Sequence, residues 1–266
     1  MSGAIELGAP QLAIAGGLVL LAGGLSVLMQ LGVGKRLAIA SLRTVVQLTI
    51  LGAILEPLFR SELGWLVGLA CIGMIALAAF ESVRRAGRRY RGIRRDAFVS
   101  LLFAGGCTAV LATAAVVGVE PWWEPRYLIP ILGMILGNGL TGISLGLDLC
   151  LRSIDEGRGR VESLLVMGAT PREASRPVAR AALRSGLVPI LNSMSVVGLV
   201  TVPGMMTGQI LGGSDPTQAA RYQIMILFVI AGATALGTAG VVLLALRSLF
   251  DAEGRLRPER LRRVLE

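Results

Sequence analysis

Long apolar runs alternate with short polar connections along this chain. The runs fall at about 11–31, 37–59, 64–82, 97–119, 128–150, 186–212 and 222–246. Roughly 20 apolar residues wound as a helix cross the ~30 Å hydrocarbon core of a bilayer, so each run is of spanning length. The pattern predicts an all-α, polytopic membrane protein of about seven transmembrane helices, forming a single transmembrane domain over residues 1–266.

Inside that pattern one stretch differs. Residues 157–185 are basic and amphipathic, whereas 186–213 hold no charge. Two helical turns over 160–167 place Val161, Leu164 and Leu165 on one side, and Gly168 is a natural stop. Thr170, Pro171 and Glu173 then form a capping box with proline at the first helical position. Arg172, Arg176, Arg180 and Arg184 recur every fourth residue, a cationic stripe along one face. A short helix set at an angle to a long one is predicted over 152–185. Two readings follow: a snorkelling helix whose arginines touch lipid phosphates, or an element presented to a cytoplasmic partner, with Glu162, Leu165, Met167, Gly168, Ala169 and Thr170 at the contact.

The sixth run is interrupted. Pro203 and Gly204 break it, which makes them the candidate hinge, and Gly204, Gly208 and Gly212 share a face beyond the break. Span five carries Gly133, Gly137, Gly142 and Gly146, spaced for close helix contact.

Charge sets the orientation. Lys35 and Arg36 follow the first run, seven arginines lie between 84 and 95, seven between 152 and 184, and six from 247 onward. The alternate connections hold only Arg60, Arg126 and Arg221, so the positive-inside rule predicts the N-terminus outside and the C-terminus cytoplasmic. Seven arginines in a dozen residues do not suggest nucleic acid here, because the segment is tethered between two spans and has only Tyr90 as an aromatic. Trp122, Trp123 and Tyr127 read as an interfacial belt on the other side.

Composition supports the membrane reading: 54% of residues are hydrophobic and mean hydropathy is +0.71, above what a soluble domain carries. There is one lysine and no histidine. Lys35 lacks the P-loop frame, so this chain is not expected to bind ATP by that motif. Cys71, Cys107 and Cys150 are spaced neither as a metal knot nor as a disulfide framework. The first apolar run is long enough to span, and no cleavable signal peptide is expected.

Polar groups inside apolar runs are the candidates for a substrate path. Arg43 and Gln47 share one face of span two; Arg43 either snorkels, pairs with a helix C-terminus or Asp148, or lines a path. Asn138 lies mid-span and needs a partner across an interface or a wet path. Asn192, Gln209, Met205 and Met206 complete the set, although paired methionines are commonly packing residues. Catalytic signatures are absent: no HExxH, no nucleophile elbow and no buried carboxylate pair. A channel or secondary transporter is the rival class; its inverted repeat or chain of intramembrane acids is not seen.

Three stretches carry a family resemblance: Pro130 to Asn138 (PILGMILGN), Glu162 to Thr170 ending Met-Gly-Ala-Thr, and Val202 to Gly213 (VPGMMTGQILGG) with Asp215-Pro216 and Tyr222-Gln223. They resemble the Fet-type iron-export permeases of bacterial ABC transporters, a family that includes plant aluminium-tolerance permeases. The resemblance implies a non-enzymatic permease subunit in the bacterial inner membrane, two copies working with two copies of a separate ABC ATPase. ATP and magnesium would then sit on that partner, with no cofactor on this chain. The 162–168 segment also resembles the importer coupling motif Glu-Ala-Ala, three residues, then Gly; Glu162 and Gly168 keep the spacing, and Ser163 and Leu164 replace the alanines. The implied substrate is iron or another metal, with a chelated metal, a small anionic conjugate or a nucleotide sugar as alternatives. No metal-ligand set is assigned.

Overall fold

A computed structural model describes residues 8–60 and 63–263. The chain divides into two units, 1–62 with 208–215, and 63–207 with 216–266.

The first unit is built on α1 (Ala9–Leu28) and α2 (Gly34–Phe59). The connecting turn needs left-handed backbone, supplied by Gln30 (φ 52°) and Gly32 (φ 68°). Both helices are apolar nearly all round, and the best spanning window of α2 has 0% of its residues buried. A helix with no polar face belongs in hydrocarbon or against another chain.

The second unit is a five-helix bundle of α3 (Gly64–Arg84), α4 (Ile93–Val117), α5 (Pro125–Glu156), α7 (Pro171–Val196) and α9 (Pro216–Leu249). The short α6 (Arg158–Val166) links α5 to α7, and α8 (Gly204–Leu211) follows α7 after a break. Contact order along the helices gives their directions. Gly142 approaches Gly186 while Gly146 approaches Ala182, so α7 runs against α5; Gly142 meets Thr234 while Gly146 meets Thr238, so α9 runs with α5. Likewise Leu101 lies by Gly139 and Gly105 by Leu136, making α4 antiparallel to α5. The bundle alternates direction at each successive long helix.

Its centre is held by glycine rather than by large side chains. A Cβ built on Gly186 would lie 2.6 Å from the Gly142 carbonyl oxygen and 2.6 Å from Thr238 Cγ2. Without water outside to drive association, spans cohere by such backbone approach and by hydrogen bonds between helices. Among the described residues, Ser100 on α4 donates to the Gly237 carbonyl (2.6 Å), Ser144 on α5 to the Ser82 carbonyl of α3 (3.1 Å), and Ser248 on α9 to Asp96 of α4 (3.3 Å). Around them sit Leu101, Leu132, Ile135, Ile143, Leu147 and Leu151, each at most 2% exposed.

Among the described residues, six helices are long and apolar enough to cross a membrane: residues 10–28, α2, α3, α4, α5 and α9. The sixth predicted run, 186–212, is not one helix. α7 ends at Val196, residues 197–203 form a turn with Gly198 at φ 81°, and α8 starts at Gly204. The break therefore opens at Val197, six residues ahead of the expected Pro203 hinge. The helix ends where Val197 turns extended, and the left-handed Gly198 that follows donates to the Thr201 carbonyl (2.9 Å) within the turn.

At one end of the bundle the basic connections meet. Arg88 and Arg89 (β1) pair antiparallel with Arg262 and Arg263 (β2), with Arg88 opposite Arg263 and Arg89 opposite Arg262. Arg88 binds Asp155 (2.8 Å) and Glu156 (3.0 Å), and Arg263 binds Asp155 (2.9 Å), tying the C-terminal tail to the end of α5. Arg88's hydrogen bond, then Arg263's, hold the Asp155 carboxyl below the usual carboxylate range against the opposing effect of burial. A depressed carboxylate contributes its full stability above its unfolded pKa and loses it only as pH falls through the lower folded value. The clasp should thus persist in mildly acidic buffer. Asp155→Asn should open it, raising limited-trypsin cleavage of the 250–263 tail several-fold without changing helix content.

Candidate functional site

The site has two parts, a cavity inside the bundle and a helical turn at its basic end. The cavity, about 350 Å³, opens where α7 ends, between α5, α9 and the start of α8. Its polar lining comes from Asn138, Ser193, Thr201 and Gln223, with the thioethers of Met134 and Met205; Pro203 and Gly204 close one side. Asn138 spends its amide N–H on the Met134 carbonyl (3.0 Å) and Ser193 its hydroxyl proton on Pro189 (3.0 Å). Each keeps acceptor capacity on its oxygen, and Asn138 a second N–H, for a further partner.

Gln223 is the informative residue. It is 9% exposed, and its Oε1 has no hydrogen-bond partner. An orphaned buried amide oxygen costs about 1–3 kcal/mol, which a fold retains where a ligand or water can satisfy it. No charged side chain lines the cavity.

Of the path residues read from the sequence, the cavity gathers Asn138 and Met205 together with both hinge residues, Pro203 and Gly204. Asn192 is exposed on α7, and Met206 and Gln209 are half-buried on α8 away from the cavity lining. Arg43 and Gln47 lie exposed on α2 in the other unit. Asp148, considered as a partner for Arg43, accepts from the Gly87 N–H (3.0 Å) and from Arg152 (2.6 Å). The cavity also takes in Met134, Ser193, Thr201 and Gln223, which the sequence reading did not single out. Gln223 had a usable signal, a lone amide in the second turn of an apolar helix; the others are too common in spans to stand out.

The turn at the basic end follows the predicted chemistry closely. α6 covers Arg158–Val166, and its C-terminus is a Schellman closure, with the Ala169 N–H on the Leu164 carbonyl (3.0 Å) and the Gly168 N–H on Leu165 (3.0 Å). Gly168 has φ 92°. Thr170 then caps α7: its Oγ1 accepts from the Glu173 N–H (3.3 Å), and Glu173 Oε2 accepts from the Thr170 N–H (2.8 Å). The Thr170 N–H, then the Thr170 hydroxyl donating to the same Oε2 (2.7 Å), hold Glu173 below its ordinary carboxylate value. Val161 is buried and anchors α6, Leu164 and Leu165 are half-buried, and Glu162 is paired with Arg158 (2.7 Å). What this scaffold exposes is an apolar apex: Val166 is 87% exposed and Met167 75%. The four arginines of the stripe are all exposed beyond it.

The sequence profile of the uncharacterised protein family UPF0014 matches residues 9–250. The chain belongs to this family. Among curated relatives it is 38% identical to the UPF0014 membrane protein slr1647 of Synechocystis, over 80% of this chain and 83% of that protein. It is 34% identical to the protein ALUMINUM SENSITIVE 3 of Arabidopsis thaliana (81% and 77% covered). It is 31% identical to the probable iron export permease protein FetB of Escherichia coli (80% and 81% covered). No solved structure matches. With its six long apolar helices, this member of UPF0014 is a multi-pass membrane protein.

Proposed function

We propose that this UPF0014 protein is the permease subunit of an ABC-type exporter, working as a pair of copies with a separate ATPase. The observation that carries this reading is the exposed apolar apex at Val166 and Met167. It is held rigid by two caps at the junction of a short and a long helix, which suits insertion into a groove on a cytoplasmic partner. α7 leads directly from that apex to the cavity, so a push at Pro171 reaches Val196 along one helix. With α7 and α8 taken as the seventh crossing, the N-terminus lies outside and the C-terminus in the cytoplasm of a bacterial inner membrane. The uncovered apolar faces of α1 and α2 suit lipid and the second copy. Co-expression with a P-loop ATPase encoded nearby tests the assembly; if no such ATPase co-purifies or is stimulated, the reading fails.

Export of iron or another metal is the substrate reading supported by the relative named as a probable iron export permease. The cavity's neutral amides, hydroxyls and thioethers favour a complexed metal over a bare hard cation, which prefers carboxylates. The same uncharged lining supports a small organic or sugar-bearing substrate as the alternative. Metal-dependent against ligand-dependent stimulation of ATP hydrolysis separates the two.

Gln223→Leu gives a signature for the cavity. Removing an unsatisfied buried acceptor should leave thermal stability in detergent unchanged or raised, while a lost substrate hydrogen bond lowers flux in proteoliposomes about tenfold. Flux at the wild-type level would remove the cavity from the path.

A further inference from the structure

The two-stranded clasp between β1 and β2 sorts its four arginines by face. Side chains alternate across a strand. Arg88 and Arg263 point to Asp155 and are neutralised there, while Arg89 and Arg262, their neighbours in the register, belong to the opposite face. That face looks into a recess of about 600 Å³, lined by Arg89, Tyr90, Arg91, Arg260 and Arg262 with Glu259 as its one acid. Glu259 is engaged with Arg257 (3.6 Å), outside the recess. Arg260 uses Nη1 to cap the Ser248 carbonyl (2.7 Å). Arg89 has a buried Nε with no acceptor, so a donor waits at the recess wall.

A second, smaller recess of about 220 Å³ shares Arg89 and continues past Arg84 and Arg94 to Phe80 and Val83. Phe80 is 42% exposed and Leu77, one turn earlier on α3, 69%, so this side runs into the apolar surface of the bundle. Arg94 lies over the Phe80 ring, 5.1 Å from its centroid. Arg84 is paired with Glu81 (3.4 Å) and Arg89 Nη2 donates to the Arg84 carbonyl (3.5 Å), so the surface passes from a guanidinium cluster in which Arg89 Nε is still open to exposed hydrocarbon.

We propose that this double recess is a binding site for an anionic phospholipid, with its phosphate on Arg89 and Arg262 and its acyl chain along Phe80 and Leu77. Guanidinium groups with free N–H donors match phosphate oxygens in charge and in geometry. A soluble phosphate ester would use the same arginines but would gain nothing from the apolar half, which is why the lipid is favoured. The site is independent of the transport reading. It also fastens the tail, since Arg260 and Arg262 come from the C-terminus, and the Gly254 turn of that tail lies against Pro171 at the base of α7.

Native mass spectrometry of the detergent-solubilised full chain, titrated with short-chain phosphatidylglycerol, phosphatidylcholine of the same chains, or glycerol phosphate, tests this. Phosphatidylglycerol should bind best, and Arg89→Gln with Arg262→Gln should weaken it roughly 30-fold, at about one charge's worth of attraction per arginine. The double lysine variant should keep most of the affinity, which separates lost charge from lost folding. Arg172→Gln with Arg176→Gln, exposed on α7 outside the recess, should leave it unchanged. Equal weakening by both glutamine pairs would mean a diffuse basic surface and would overturn the site. So would unchanged binding in the Arg89 and Arg262 variant, and so would glycerol phosphate binding as tightly as the lipid.

Discussion

Gly186→Ala is expected to lower the stability of the detergent-solubilised protein by about 2–3 kcal/mol, the upper part of the range for an overpacked core. The new methyl would meet the Gly142 carbonyl oxygen and Thr238 Cγ2, both at 2.6 Å, and only the second belongs to a side chain. Gly146→Ala is the informative comparison. Its methyl would lie 2.6 Å from Thr238 Cγ2, but 3.1 Å from the nearest backbone atom, the Ala182 carbonyl oxygen. Deleting that γ-methyl with Thr238→Ser should therefore rescue most of the Gly146→Ala loss and little of the Gly186→Ala loss. Thermal unfolding of the three single and two double variants reads this directly. Equal rescue at both positions would show that α7 yields at the crossing and that the backbone contact is not what holds it.

Substitution at the turn between α6 and α7 should separate assembly from fold. Met167→Asp places a charge at the exposed apex, where 75% of the residue already faces solvent, so the permease should fold and keep its melting temperature. If that apex docks into the ATPase, loss of a central apolar contact with a desolvated charge added should reduce stimulated ATP hydrolysis by at least about 30-fold, the scale of an interface hot spot. Gly168→Val attacks the same turn through its backbone. A β-branched residue at φ 92° carries about 1–3 kcal/mol of strain, so the Schellman closure should give way and the angle between α6 and α7 with it. Both variants should bind the ATPase weakly; a normal complex with either would place the contact elsewhere.

Local chemistry explains why the turn was readable and the cavity less so. Gly168, Thr170, Pro171 and Glu173 act within a few residues of one another, and the closure and capping box they predict are present. The arginine stripe depends on helical period alone and also forms as expected. The cavity is assembled from residues far apart in the chain, Asn138 on α5, Ser193 on α7 and Gln223 on α9, and no local rule says that these three face one space. Asn138 was found because a mid-span amide must be satisfied somewhere; Ser193 was not, because a serine in a span satisfies itself on the carbonyl one turn back. The break in the sixth run was anticipated and its position was not. Proline marks where a helix cannot continue, but the backbone turned extended sooner, at Val197, with Gly198 then taking the left-handed conformation that the residues around it disfavour.

By itself the sequence determined that the chain is a helical membrane protein, where its long apolar helices lie, and the capped turn between α6 and α7. Those features follow from hydrocarbon thickness, from the need to satisfy backbone groups without water, and from hydrogen bonds that close over three or four residues. Only the tertiary structure decided which helices cross at Gly142 and Gly186, which amide is left unsatisfied in the cavity, and which arginines are neutralised by Asp155 while others remain open. Each of these depends on the distance between segments remote in the chain. A period of 3.6 residues states which way a side chain leaves its helix, and not what it meets there.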